Sequence, residues 1–185
     1  MRWFGAEKIR GVIVGGVAAS ILGRPRMTRD VDALILADDT GWDRLVRSAA
    51  SYGITARIEN VVDFAARTRV LLLRHDPSGV DVDVMLGALA FHSELLERSA
   101  LVDLGVLQVR VPSAEDLVIM KAVARRPRDI ADIESILTAD AGIDLDRIRQ
   151  KLREFSSLLE MPEIQEDFED LLRRFSKSRR RLHDL

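Results

Sequence analysis

Residues 14–36 decide the fold that this sequence predicts, and they read Val-Gly-Gly-Val-Ala-Ala-Ser-Ile-Leu-Gly-Arg-Pro-Arg-Met-Thr-Arg-Asp-Val-Asp-Ala-Leu-Ile-Leu. An apolar strand runs into Gly15-Gly16 and a short helix, and an arginine-rich turn leads to a strand that opens with Asp30-Val-Asp32. Because residues i and i+2 of a strand share a face, the two carboxylates converge. Paired carboxylates suit a divalent cation, and backbone N–H groups at a helix start suit a phosphate. The stretch therefore indicates phosphoryl or nucleotidyl transfer.

The composition is that of an ordinary globular protein. The chain has 185 residues, of which 47% are hydrophobic and 31% charged, and its net charge is −2. It contains no cysteine, which excludes thiol chemistry and disulfides, and its three histidines are widely spaced, which disfavours a histidine metal site or a Ser-His-Asp triad. The N-terminus lacks a signal-peptide pattern and no apolar run is long enough to span a bilayer. We expect a cytoplasmic protein with no membrane partner.

The chain changes character near Pro112. Before it, strands and helices alternate, which predicts an α/β (α+β) core at residues 1–111 with a mixed sheet flanked by helices. Residues 112–185 predict a C-terminal helical region packed on the core. The predicted strands are Ile9–Val14, Val31–Leu36, Ile54–Ile58, Val70–Leu73, Val80–Leu86 and Leu107–Val111, and 70–73 and 80–86 should form a hairpin. The predicted helices are Gly16–Leu22, Trp42–Tyr52, Val61–Arg67 and Phe91–Ala100, then four more at about 113–123, 127–137, 144–159 and 163–175.

Asp-x-Asp is a weak signal alone, and it occurs at 30–32, 81–83 and 144–146. The third triplet precedes a helical pattern and is interpreted as a cap. The first two lie within apolar strands, where carboxylates on one face repel each other unless a cation or basic partner is present. Two such strands side by side predict a site for metal ions. The alternative is a salt-bridge cluster with Arg26 and Arg29.

The glycine pair also has two interpretations. Glycine pairs usually mark turns, but this pair lies between a strand and a helix, which favours close approach of a ligand to the backbone. No Gly-Lys-Ser/Thr signature of a P-loop is present.

These pieces combine into the pattern Gly-Gly-x-Ala-x4-Gly-x2-Arg-x-Thr-x-Asp-x-Asp, which resembles the nucleotidyltransferase superfamily that includes DNA polymerase β-like enzymes, with AbiEii-type toxins as the closest branch. A second match is the strand with Asp83, followed by Met-Leu-Gly and Phe91. A third is Pro112-Ser-x-Glu-Asp-Leu-x3-Lys121, then Arg126-Pro-x-Asp129-x2-Asp132. The matches cover residues 9 to about 137 and imply a minimal nucleotidyltransferase fold.

The resemblance implies roles for nine residues. The catalytic and metal-binding carboxylates would be Asp30, Asp32 and Asp83, with two Mg²⁺ ions or Mn²⁺ in their place, and Asp81 is an alternative to Asp83. The nucleotide-binding residues would be Gly15, Gly16, Ser20, Arg26, Thr28 and Lys121. Lys121 has the alternative of a surface helix lysine. Asp129 and Asp132 would be structural partners of Arg125 or Arg126, or ligand groups.

The implied activity is metal-dependent transfer of an NMP from an NTP such as ATP to a hydroxyl of a macromolecule. In the resembling toxins the acceptor is often the tRNA 3′ end, and the protein would then act in a toxin–antitoxin or phage-defence system with a cognate antitoxin. The basic segment 173–181 suits an RNA partner or is a solvated helix end. Alternatives are a catalytically silent binding or antitoxin-type protein, and an enzyme that adenylylates a protein or small molecule.

Overall fold

The computed structural model describes residues 2–140 and 142–183, and the side chains of these residues apart from 39 and 178–183. The chain divides into two compact units. The first comprises the residues up to Ala18 together with Arg26–Ser113. The second comprises Ala19–Pro25 together with the residues from Ala114 onward. The predicted packing of the helical region on the core stays a prediction.

Strands and helices alternate through the first unit. Its strands are β1 (Gly11–Val14), β2 (Asp30–Ile35), β3 (Ile54–Ala56), β4 (Val70–His75), β5 (Val80–Leu86), β6 (Ala100–Asp103) and β7 (Gln108–Val111). The helices up to Arg98 are α1 (Arg2–Ala6), α2 (Gly15–Leu22), α3 (Trp42–Ala49), α4 (Val61–Thr68) and α5 (Ala90–Arg98). The helix α2 begins in this unit and ends in the second. The sequence analysis did not predict α1 or β6.

Within the described residues, β1 to β5 form one sheet in the order β1-β2-β5-β4-β3, and β6 pairs with β7. The β2–β5 pair is parallel, and the other pairs of the large sheet are antiparallel. The predicted mixed sheet flanked by helices is therefore confirmed. The predicted hairpin is also confirmed, since β4 and β5 pair along their length across a turn at residues 76–79.

One face of the large sheet is apolar and buried. Leu71 and Ala33 lie on either side of Val84 in the register, and all three are at most 1% exposed. Burial of such side chains supplies the main free energy of folding, about 1.5–3 kcal/mol for a large aliphatic one. Because side chains alternate along a strand, this apolar face sends the aspartates of β2 and β5 to the opposite face. A slip of one residue would reverse the two faces, so burial sets the register.

The second unit contains helices whose apolar sides meet. The helices that begin after Ser113 are α6 (Ala114–Ala124), α7 (Pro127–Ala139), α8 (Leu145–Leu159) and α9 (Glu163–His183). Its fully buried side chains include Leu117, Ile136, Ile148 and Leu152. The predicted cap of α8 is confirmed, because the Asp144 carboxylate accepts a hydrogen bond from the backbone N–H of Arg147. None of the described helices is long and apolar enough to cross a membrane.

A buried ion-pair cluster joins α6 and α7. The ammonium of Lys121 donates to Asp129 Oδ1 at 2.8 Å and to Asp132 Oδ2 at 2.6 Å. All three residues are 6% exposed or less. The expected partnership with Arg126 is confirmed for Asp129, whose Oδ2 accepts a hydrogen bond from the Arg126 backbone N–H at 3.1 Å. The guanidinium of Arg125 pairs with Glu163 and Asp167 of α9. Burial favours the lysine, whose long chain reaches both carboxylates from the preceding helix.

We predict that Lys121→Met lowers the free energy of unfolding by about 3–5 kcal/mol, because it leaves two buried carboxylates without their cation. Chemical denaturation without nucleotide measures this effect. The control is Arg173→Ala, which removes an exposed ion pair with Asp170 and should cost less than about 1 kcal/mol. Equal effects of the two substitutions would contradict the assignment of a structural role to Lys121.

His92 makes stability depend on pH. Its Nδ1 accepts hydrogen bonds from the backbone N–H groups of Ala88 and Leu89 at the start of α5, and burial, followed by the nearby Arg69, lowers its pKa below the ordinary 6.5. As pH falls through 6.5 the unfolded chain takes up a proton that the folded chain resists. The stabilising contribution is thus complete above 6.5 and is lost as pH falls towards the folded-state pKa.

We therefore predict that the melting temperature falls between about pH 7 and about pH 5.5, and that His92→Gln, which keeps a neutral acceptor, flattens this slope. Differential scanning calorimetry across this range checks it. His75→Gln is the matched control, since the His75 ring is paired with the Ser78 hydroxyl in the turn after β4 and is not buried. A slope that survives in His92→Gln would contradict the prediction.

Candidate functional site

Two rows of carboxylates cross the polar face of the sheet. In the parallel pairing of β2 with β5, Asp30 is the register partner of Asp81, and Asp32 is the partner of Asp83. Adjacent strands lie about 4.7–4.9 Å apart, so each row places two carboxylates side by side. Asp30 is exposed and the other three are partly buried. The structure therefore places the three predicted catalytic carboxylates on neighbouring strands and on one face of the sheet, where like charges repel each other.

Gly15 packs directly against one of these carboxylates. It begins α2 immediately after β1, with a φ of 61°. A Cβ atom at this position would lie 1.9 Å from Asp32 Oδ2, so a side chain there would displace the carboxylate. The sequence suggested either a turn or close approach of a ligand at the glycine pair, and the structure shows a contact that neither interpretation included. The close approach at Gly15 is to Asp32.

The arginine-rich turn folds back over Gly16. A Cβ atom on Gly16 would lie 2.7 Å from Thr28 Cγ2 and 3.1 Å from Arg26 Nη2. The start of α2, the turn and the opening of β2 thus meet at one place. Four of the predicted nucleotide-binding residues are gathered beside Asp32, namely Gly15, Gly16, Arg26 and Thr28.

Two arginines that the sequence analysis did not select neutralise the β5 carboxylates. Arg57 donates from Nη1 to Asp81 Oδ2 and from Nη2 to Asp83 Oδ1, both at 2.5 Å. Arg74 donates from Nε to Asp81 Oδ1 at 2.9 Å. The hydrogen bond from Arg74 is the largest cause that lowers the pKa of Asp81; burial opposes it, and the hydrogen bond and charge of Arg57 add to the lowering. The β5 side of the site therefore carries its own cations.

The reason that these arginines were missed lies in the strand order. Arg57 follows β3, and its backbone N–H bonds to the Leu72 carbonyl at 2.9 Å, so it continues alongside β4. Alternation within Ile54–Ile58 placed Thr55 and Arg57 on one face, which was the available signal. The pairing needs the order β5-β4-β3, which local sequence does not reveal. The alternative interpretation of the two triplets was a salt-bridge cluster with Arg26 and Arg29. The ion pairs described for β5 are made by Arg57 and Arg74.

The donor chemistry fits a divalent ion at Asp30 and Asp32. Carboxylate oxygens are the ligands that Mg²⁺ prefers, and the missing side chain of Gly15 leaves room for the Asp32 carboxylate. In the described part of the chain, no three carboxylate or imidazole groups already stand together as a metal-binding set. Arg57 holds Asp83 on the other side of the row. The metal-binding roles of the three aspartates stay a prediction.

The remaining predicted residues belong to the second unit. Ser20 lies on α2 and is half-buried. Lys121 lies on α6 and is 6% exposed, so the alternative of a surface lysine is wrong. Its ammonium is held by Asp129 and Asp132. Nucleotide binding by Ser20 and Lys121 stays a prediction.

Solved nucleotidyltransferases share this fold. The solution structure of the antibiotic-resistance factor ANT(2'')-Ia matches with a TM-score of 0.60 at 14% identity, over 90% of this chain and 92% of that chain. The lincosamide antibiotic adenylyltransferase LnuA, bound to lincomycin, matches with a TM-score of 0.55 at 13% identity, over 75% of this chain and 92% of that chain. An antigenic nucleotidyltransferase-like protein from Paracoccidioides brasiliensis matches with a TM-score of 0.55 at 19% identity, over 93% and 88%.

No curated protein matches the chain by sequence. A family model does, over residues 5–183, and its description is nucleotidyltransferase of unknown function (DUF6036). This match and the shared fold confirm the predicted membership of the nucleotidyltransferase superfamily. The chain belongs to the DUF6036 family of nucleotidyltransferases.

Proposed function

We propose that this protein is a metal-dependent nucleotidyltransferase that moves an NMP from an NTP to a hydroxyl group. The observation that carries the proposal is the packing of Gly15 against the Asp32 carboxylate. This contact sets backbone N–H groups at a helix start beside a pair of carboxylates. A site for a triphosphate and a site for its counter-ion are thereby neighbours, which nucleotidyl transfer requires.

The nucleotide would bind through its phosphates at the start of α2. The backbone of Gly15 and Gly16 would hold phosphate oxygens, because the N-terminus of a helix favours negative charge. Arg26 and Thr28 border Gly16 and would add a guanidinium and a hydroxyl to the same phosphates. Ser20 and Lys121 would be further nucleotide-binding residues, as the motif resemblance implies.

Asp30 and Asp32 would hold a divalent ion, Mg²⁺ or Mn²⁺. When bound, such an ion neutralises the charge that develops on the phosphates during transfer. The motif resemblance implies two ions, the second of which would also be bound by Asp83.

Asp83 would act on the hydroxyl group of the acceptor. It lies beside Asp32 in the register and would orient the acceptor hydroxyl and take its proton. The hydroxyl oxygen then bonds to the α-phosphorus, the bond from that phosphorus to the bridging oxygen breaks, and pyrophosphate leaves. Asp83 is favoured over Asp81 because it is the register partner of Asp32.

The acceptor class has two candidates. The motif resemblance to AbiEii-type toxins favours a macromolecule, with the tRNA 3′ end first, and a toxin role beside a cognate antitoxin follows from that branch. The structural neighbours favour a small molecule, since one is a lincosamide antibiotic adenylyltransferase and ANT(2'')-Ia was solved with adenylyl-2''-tobramycin. Both acceptors supply a hydroxyl to the same site.

We predict that Asp30→Asn with Asp32→Asn lowers NMP transfer by at least about 10²-fold, as loss of preorganised charge stabilisation does in other enzymes. The assay supplies each α-³²P-labelled NTP with Mg²⁺ and, in separate arms, total RNA, total protein, tobramycin and lincomycin. The labelled product identifies the acceptor. The matched control is Asp146→Asn, which alters an exposed aspartate of the third triplet and should leave transfer unchanged.

The proposal fails if the wild-type protein transfers no label in any arm and calorimetry detects no NTP binding. NTP binding without transfer would support instead a catalytically silent scaffold that binds nucleotide. Transfer that is equal in the wild type and the double variant would contradict the assignment of the carboxylates.

We also predict that Gly15→Ala abolishes measurable transfer, because its Cβ would meet Asp32 Oδ2. Gly79→Ala is the matched control, since Gly79 also has a positive φ, of 68°, but nothing lies within 4 Å of an added Cβ. Both variants bear the cost of an L-residue in the left-handed region, about 1–2 kcal/mol. Only Gly15→Ala should lose transfer while remaining folded by circular dichroism. Equal activity of the two variants would contradict the prediction.

A further inference from the structure

A cavity of about 480 Å³ lies within the second unit, lined by residues of α6, α7 and α9. Both α7 and α9 pack on α6, and the cavity opens between them where α6 ends at Ala124. Sites that bind small molecules usually enclose about 300–1,000 Å³ and are lined mostly by apolar side chains with a few polar groups. The cavity therefore has the size of a ligand-binding site.

Part of the lining is apolar. Ile133, Phe168 and Leu171 line the cavity and are at most 3% exposed. Ile130 also lines it, yet this side chain is 44% exposed. A ligand with an apolar body would remove the surface of Ile130 from water, which favours an organic molecule over a bare ion.

Every carboxylate of the lining is paired with a cation of the lining. The pairs are Lys121 with Asp129, Arg125 with Asp167, and Arg173 with Asp170. Lys121 and Arg125 each contact a second carboxylate as well. These acidic groups are therefore occupied within the second unit, and the lining offers no unpaired carboxylate to a cationic ligand.

Three further cations line the cavity, namely Arg126, Arg174 and Lys177. All three are exposed, and none of the ion pairs among the described side chains involves them. Arg174 donates from Nε to the backbone carbonyl of Asp170 at 3.4 Å, a contact that does not neutralise its charge. The groups that the cavity offers to a ligand are thus cations beside an apolar surface.

We propose that this cavity binds an organic phosphate, a phosphate monoester with an apolar or aromatic body. The body would lie against Ile130, and the phosphate would meet Arg126, Arg174 and Lys177. Guanidiniums match the oxygens of a phosphate with two parallel hydrogen bonds, and several cations suit a dianion better than a carboxylate of single charge. The site goes beyond the proposed function and does not depend on it.

The probe of the test is naphthyl phosphate, and its apolar and anionic parts are supplied separately as naphthol and inorganic phosphate. Isothermal titration calorimetry of the full chain, without divalent ions, measures each Kd. The wild-type protein should bind naphthyl phosphate at least about tenfold more tightly than either part, because only the probe uses both the apolar and the cationic lining.

Arg126→Gln with Arg174→Gln should weaken the binding of naphthyl phosphate by at least about tenfold, because it removes two charge-assisted hydrogen bonds. The matched control is Arg128→Gln with Arg153→Gln, which removes two exposed arginines of the same unit that lie outside the cavity lining. The control should leave the Kd unchanged. Circular dichroism verifies that both double variants are folded.

Ile130→Ser tests the apolar part of the lining. It should weaken the binding of naphthyl phosphate by about three- to tenfold and leave that of inorganic phosphate unchanged. Leu158→Ser is the control, since Leu158 is 66% exposed on α8 and lies outside the cavity lining.

The inference is overturned if the wild type shows no saturable binding of naphthyl phosphate up to about 1 mM. It is also overturned if inorganic phosphate binds as tightly as the probe, since the apolar surface would then contribute nothing. Equal effects of the two double variants would show that only the overall positive charge of the protein attracts the probe. Binding that survives Arg126→Gln with Arg174→Gln would place the ligand outside this cavity.

Discussion

The candidate site depends on the parallel pairing of β2 with β5. This pairing sets Asp30 beside Asp81 and Asp32 beside Asp83, an arrangement that electrostatics alone opposes. The opposite face of the same strands buries Ala33 and Val84, and that burial holds the register despite the repulsion. Burial of the apolar face thus supplies free energy of folding, and as a consequence the four aspartates lie close together on the polar face. The arrangement of carboxylates on this face is therefore imposed by folding itself.

Gly15 connects the fold to the chemistry of the site. Its position at the junction of β1 and α2, with a left-handed backbone, turns the chain so that the helix starts beside Asp32. Any side chain there would push the carboxylate away. The same residue therefore permits the turn and leaves space for the carboxylate. A single local requirement explains why the glycine pair and the Asp-x-Asp triplet occur together in this sequence.

Local patterns in the sequence predicted much of the fold. Apolar runs predicted β2, β4 and β5, and a four-residue turn predicted the hairpin of β4 with β5. The position of Asp144 before a helical pattern predicted that it caps α8. The carboxylate face followed from alternation alone. What could not be predicted depends on contacts between distant segments. Arg57 reaches Asp83 only because β4 lies between β3 and β5, and Lys121 meets Asp132 only because α6 packs on α7. The short elements α1 and β6 lack a periodic signal of sufficient length.

The two Asp-Val-Asp triplets of the sheet show that a motif does not determine its own role. They have the same sequence, lie on neighbouring strands and occupy the same register positions, yet their surroundings differ. The β5 triplet borders β4 and β3, which supply Arg74 and Arg57, whereas the β2 triplet borders β1 and the glycine junction, where Gly15 leaves space. Neighbouring strands therefore supply guanidiniums to the β5 carboxylates, whereas the β2 carboxylates lie beside the start of α2. The strand order, more than the triplet itself, decides which residues surround each pair of carboxylates.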